Sequence, residues 1–141
     1  MSTYNHILVP TDFSDSSKQA AAKALELSTT FGARLSLMHV VDYLPPAFIA
    51  QQSPFTSAPQ IVERAAAYLE EWAREVGLDK AERLVVSGTA AHEIKQTAES
   101  AGVDLIAIGT SGEGGIKRLL GSTTHAVMHD APCDVLCIKC E

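Results

Sequence analysis

Short apolar blocks alternate along this chain with longer stretches in which apolar positions recur every three or four residues. The first block, "HILVP" (His6–Pro10), does not alternate with polar residues, so it predicts a strand buried on both faces. Ser14 predicts the cap of a helix running to about Phe31, with Ala21, Ala24 and Leu25 at helical spacing and Gly32 as its stop. "RLSLMHVV" (Arg34–Val41) is a second strand, and a proline-containing connection without a period follows it. Ser57 with Gln60 makes a capping box for a helix in which Ile61, Ala65, Leu69, Trp72 and Val76 share a face, closed by Gly77. "RLVVSG" is a third strand, about Ala91 to Ala101 a third helix ending at Gly102, and "DLIAIG" a fourth strand. Ser122 is placed to cap a last short helix reaching about His129, and "DVLCIK" is the fifth strand.

The order is therefore β-α-β-α-β-α-β-α-β. Strands separated by helices imply crossover connections, which build an open, mostly parallel sheet with helices on both faces, a Rossmann-like α/β fold. No repeat, low-complexity tract or second domain interrupts residues 1–141, which read as a single domain.

Composition narrows the partners. Hydrophobic residues make up 46% and charged residues 20%, ordinary values for a compact domain. A formal charge of -6 and a pI near 5.3 argue against general attraction to nucleic acid or an anionic membrane. No apolar run approaches the roughly 20 residues of a membrane span, and the N-terminus lacks the pattern of a secretory signal, so a cytoplasmic location is expected. Cys133, Cys137 and Cys140 are a poor disulfide framework and lack partnering histidine spacing for zinc; they read as small buried thiols, with Cys140 the most exposed.

In such sheets ligands bind beyond the C-terminal strand ends, where the winding reverses. Three segments arrive there: "PTDFS" after strand one, "VVD" after strand two, and a glycine-rich loop after strand four. That loop, within "IGTSGEGGIKRLLGST", holds five of the chain's nine glycines. Gly109 and Gly112 lack a Cβ, so their backbone can approach a ligand or adopt positive φ. Gly121-Ser122 opens a helix whose free N–H groups favour an anion, and Ser122 adds a hydroxyl. Taken singly, each residue is equally a turn glycine or a cap; as a set after a strand at the binding edge, they point to phosphate. The loop is neither G-x-x-x-x-G-K-[ST] nor the dinucleotide G-x-G-x-x-G. Lys117 and Arg118 either lend charge to a phosphate or are solvated loop cations. Asp12 either accepts from both hydroxyls of a ribose or is an acid favoured near the following helix N-terminus. His39, within an apolar strand, reads as a satisfied core residue. His92, His125 and His129 fall on helix surfaces or ends, with no paired nucleophile and no metal site.

"ILVPTDFSDSSKQAAAKALELSTTFGARLSLMHVVD" together with "GVDLIAIGTSGEGGIKRLLGSTTHAVMHDAPCDVLCIK" resembles the universal stress protein family over nearly the whole chain. ATP-binding members of that family carry G-2x-G-9x-G-[ST] after the fourth strand; here eight residues, one fewer, separate Gly112 from Gly121. The resemblance implies that Pro10, Thr11 and Asp12 lie against adenine and ribose, with Asp12 on the sugar hydroxyls. Val40 would meet the adenine edge through its backbone, and Ile108 and Gly109 would flank the nucleoside. Gly112, Gly121, Ser122 and Thr123 would bind the phosphates of ATP, accompanied by Mg2+. It further implies a homodimer through the last strand, consistent with "CDVLCIKC" as an apolar edge, acting as a nucleotide-sensitive regulator in the stress response. The alternative is a dimer of the same fold that acts only through protein–protein contacts. No catalytic residue is implied: of the groups near the loop only His125 could serve as a base.

Overall fold

The computed structural model describes residues 4–42, 58–110 and 122–139. Among the described residues five strands and four helices alternate: β1 (His6–Pro10), α1 (Asp15–Phe31), β2 (Arg34–Asp42), α2 (Ala58–Glu75), β3 (Glu82–Gly88), α3 (Ala90–Ser100), β4 (Leu105–Gly109), α4 (Ser122–Met128) and β5 (Asp134–Ile138). The sheet order is β3-β2-β1-β4-β5, and every neighbouring pair is parallel. The α/β class expected from the apolar pattern is therefore the one observed.

The unbroken apolar runs of β1 and β4 are explained by two cores, one on each face. Ile7 and Val9 of β1 and Leu105 and Ala107 of β4 point to one side, where Ala21 and Ala24 of α1 and Leu69, Trp72 and Ala73 of α2 cover them. Leu8, Ile106 and Ile108 point to the other, against Ile94 and Ala98 of α3 and Val127 of α4. Successive strand residues face opposite ways, so a strand covered on both faces has no polar positions to spare. β1 and β4 are buried throughout, while the outer strands β3 and β5 are partly exposed.

Helix ends follow the sequence closely. Ser14 caps α1, its side chain accepting from the Ser17 amide, and Gly32 ends the helix at φ 69 with its N–H on the Ser28 carbonyl. Three expectations need correction. Leu25 is exposed, because α1 meets the sheet through Ala20, Ala21 and Ala24, whose small side chains let the helix lie close. Ser122 is the first residue of α4 rather than its cap. Cys133 and Cys137 are half-buried, because β5 is an edge strand; burial still pushes both thiols above their ordinary value. Ser57 of the expected capping box, Cys140, and the stretch containing Gly112, Lys117, Arg118 and Gly121 lie outside the described residues. Among the described residues no helix is long and apolar enough to cross a membrane.

Candidate functional site

The winding reverses between β1 and β4. From β1 the chain moves outward through β2 to β3, then returns to the far side of β1 for β4 and β5. In open α/β sheets such a switch point is where a crevice forms, beyond the C-terminal ends of the two central strands. Pro10, Thr11 and Asp12 leave one side of it, and Ile108, Gly109 and Thr110 leave the other. Val40 lies one strand beyond β1, paired with Val86 of β3, and packs on the α3/α4 face.

Thr11 is 5% exposed and fully engaged. Its amide donates to the Met38 carbonyl (2.8 Å), and its carbonyl accepts from His39 Nδ1 (2.8 Å). Its hydroxyl donates to Ser17 Oγ (2.9 Å) and accepts from the Phe13 amide (2.9 Å). Asp12 is exposed at the edge; its Oδ1 accepts from the Ser14 amide (3.1 Å) and lies 3.2 Å from the Ser17 hydroxyl. The acid thus serves the start of α1, as one of its two sequence readings expected, and remains exposed beyond the end of β1.

Gly109 is where β4, α1 and α4 meet. A Cβ there would stand 2.7 Å from the Ser16 carbonyl carbon and oxygen and would collide with Ser16 Oγ. Gly109 is absent from the positive-φ residues, so close approach of α1, and not an unusual turn, is what requires glycine. Its carbonyl accepts from the buried Thr124 hydroxyl of α4 at 2.6 Å. That bond draws the first turn of α4 against the end of β4, leaving the Ser122 and Thr123 side chains exposed. The Thr110 amide continues the ladder to the Ile138 carbonyl at 3.0 Å.

The structure therefore brings Pro10, Thr11, Asp12, Val40, Ile108, Gly109, Ser122 and Thr123 to one edge of the sheet; Gly112 and Gly121 lie outside the described residues. His125 is exposed in the last turn of α4. Sequence reading missed Ser16, Ser17, Thr124 and Phe13. The hydroxyl run "TDFSDSS" signals a hydrogen-bonded loop for the serines, but nothing local marks Thr124 or Phe13. Among the described residues no three His, Cys, Asp or Glu side chains are grouped to hold a metal.

The donor set fits an adenine nucleotide in kind: a carboxylate for sugar hydroxyls on one lip, and hydroxyls at a helix start for phosphate on the other. A family model for universal stress proteins matches residues 3–139. The chain belongs to the universal stress protein family. A curated member, universal stress protein A homolog 1 of Coxiella burnetii, is 33% identical over 138 residues, covering 96% of each chain. The solved structure of the universal stress protein UspA from Lactobacillus plantarum is similar at a TM-score of 0.80 and 30% identity, over 98% of this chain and 99% of that one. Another solved family member, in complex with cAMP, is similar at a TM-score of 0.69 and 26% identity, over 99% of this chain and 100% of that one. The sequence of this member has a glycine-rich stretch after β4 and an acid, Asp12, after β1.

Proposed function

We propose that this family member binds an adenine nucleotide, ATP with Mg2+ in the cell, across the β1/β4 crevice and acts as a nucleotide-sensitive dimeric regulator in the cytoplasm. The observation that carries this is the convergence of Asp12, Ile108–Gly109 and the Ser122–Thr123 start of α4 on one sheet edge. The cAMP complex of a relative supports an adenine ligand for this fold.

In this reading the Asp12 carboxylate accepts from the ribose hydroxyls, and the Val40 backbone meets the base. Ile108 and Gly109 line the nucleoside, with Pro10 and Thr11 opposite. Gly112, Gly121, Ser122 and Thr123 take the phosphates. Mg2+ would be held mainly by phosphate oxygens and water, since among the described residues no three His, Cys, Asp or Glu side chains are grouped to hold it. The chain's negative charge makes this local donor set necessary, since at long range a net charge of -6 repels a triphosphate.

Ligand present at 100 times its dissociation constant adds roughly 2.7 kcal/mol to stability. Millimolar Mg-ATP is therefore expected to raise the melting temperature of the purified protein, and Asp12→Ala combined with Gly121→Val to abolish the rise. An unchanged wild-type melting curve with ATP, AMP and cAMP alike would instead favour a dimer that works through protein contacts alone.

A further inference from the structure

On the face of the sheet away from Val40, behind the crevice, an aromatic group surrounds the turn that carries Asp12. Phe13 has φ 67, a region that bulky residues rarely enter. Its ring lies 4.5 Å from His39, 4.6 Å from Tyr68 and 6.0 Å from Trp72, centroid to centroid. Strained backbone persists only where surrounding contacts over-determine it, and such positions gather at ligand sites. Two contacts do so here: the Phe13 amide on Thr11 Oγ1, and the ring held among its aromatic neighbours. The Thr11 carbonyl on the other side of Asp12 accepts from His39 Nδ1. A carbonyl can only accept, so Nδ1 must carry the proton, and the tautomer of His39 is fixed by its partner.

We infer that His39 is a positioning residue for the nucleotide site. From behind the crevice it holds the Thr11 carbonyl with its Nδ1–H and braces Phe13 with its ring, so that Asp12 is clamped on both sides at the angle a ribose requires. The inference rests on the adenine-nucleotide reading above. His39 itself does not touch the ligand in this arrangement; its effect reaches the ligand through Thr11 and Asp12. Its ring and its N–H are separable contributions. His39→Phe keeps an aromatic against Phe13 and removes the donor. His39→Asn places an amide donor near the position of Nδ1 and removes the ring.

The experiment combines calorimetric titration of ATP and AMP into wild type and both variants with nitrogen NMR of the wild-type imidazole at alkaline pH. The expected outcome is about fivefold to tenfold weaker binding for His39→Phe, as for loss of one hydrogen bond, with His39→Asn recovering most of it. The NMR spectrum is expected to show Nδ1 protonated and Nε2 bare. An Nε2-protonated imidazole overturns the clamp whatever the nucleotide does. So does wild-type affinity in His39→Phe, or equal weakening of both variants in step with lost stability. Wild type binding neither nucleotide overturns the adenine reading and the role of His39 with it, and is told apart because the tautomer is measured without ligand. If His39→Phe fails to fold, the wild-type spectrum and His39→Asn still decide.

Discussion

Two glycines show how one residue type answers different physical demands. Gly32 ends α1 at φ 69 with nothing within 4 Å of a notional Cβ, so its demand is conformational. Gly109 has an ordinary backbone, but the first turn of α1 occupies the space a side chain would need. Alanine at Gly32 should cost about 1–2 kcal/mol, from the left-handed backbone alone. Gly109→Ala must push Ser16 away from the sheet, and overpacking of this kind costs about 1–3 kcal/mol. Urea unfolding without nucleotide checks both, and the double variant Gly109→Ala with Ser16→Gly isolates the contact with Ser16 Oγ. Removing Ser16 Oγ is expected to recover only part of the loss, because the Ser16 carbonyl is also in the way. Full stability in Gly109→Ala would show that the close approach is not what requires glycine there. The presence of Gly109 was legible in the sequence; what fills the space over it was not, because Ser16 arrives from a helix 93 positions earlier in the numbering. Phe13 was illegible for a similar reason. Its left-handed φ accompanies contacts with rings on β2 and α2, far away in the sequence.

At the level of elements, apolar periodicity was enough to set the order of strands and helices, since both central strands must be covered twice. Caps were legible where a side chain bonds its own helix, as at Ser14. They were not legible where one element is tied to another. α4 has only seven residues and stays helical through tertiary anchors. Thr124 fastens its start to the Gly109 carbonyl, and Lys95 of α3 donates to the Ala126 and His129 carbonyls at its end, 3.1 and 3.2 Å away. The Thr124 bond is buried, so Thr124→Val, nearly equal in shape, leaves the Gly109 carbonyl without that donor. The expected loss is about 1–3 kcal/mol, with amide hydrogen exchange of α4 rising more than that of β1. Uniform exchange across the molecule would argue that Thr124 serves global packing and does not act as a local anchor.

For the molecule as a whole, the sheet order decides which surfaces remain for partners. β3 and β5 are its edges. β3 is bordered by charge: Arg34 pairs with Glu82, holding that carboxyl below its ordinary range, and Arg83 approaches Glu70. Such exposed pairs contribute little stability but discourage pairing with another strand. β5 carries Val135, Leu136, Cys137 and Ile138, all partly exposed, beside an exposed Met128 whose sulfur lies 3.3 Å from Cys137 Sγ. At its start the Tyr4 hydroxyl donates to Asp134 Oδ2 at 2.8 Å. Among the described residues no strand pairs with this outer edge, and on the proposed dimer reading a second copy would pair with it across a twofold axis. Sedimentation equilibrium is therefore expected to give about twice the 15.0 kDa chain mass at micromolar concentration. Replacing Ile138, which belongs to neither core cluster, with Lys should shift the population toward monomer while leaving the far-ultraviolet spectrum unchanged. Because the β1/β4 crevice is built within one chain, the monomeric variant should still respond to Mg-ATP in its melting curve, if more weakly. A wild-type mass of one chain across that range would remove the dimer from the regulatory reading and leave nucleotide binding to stand alone.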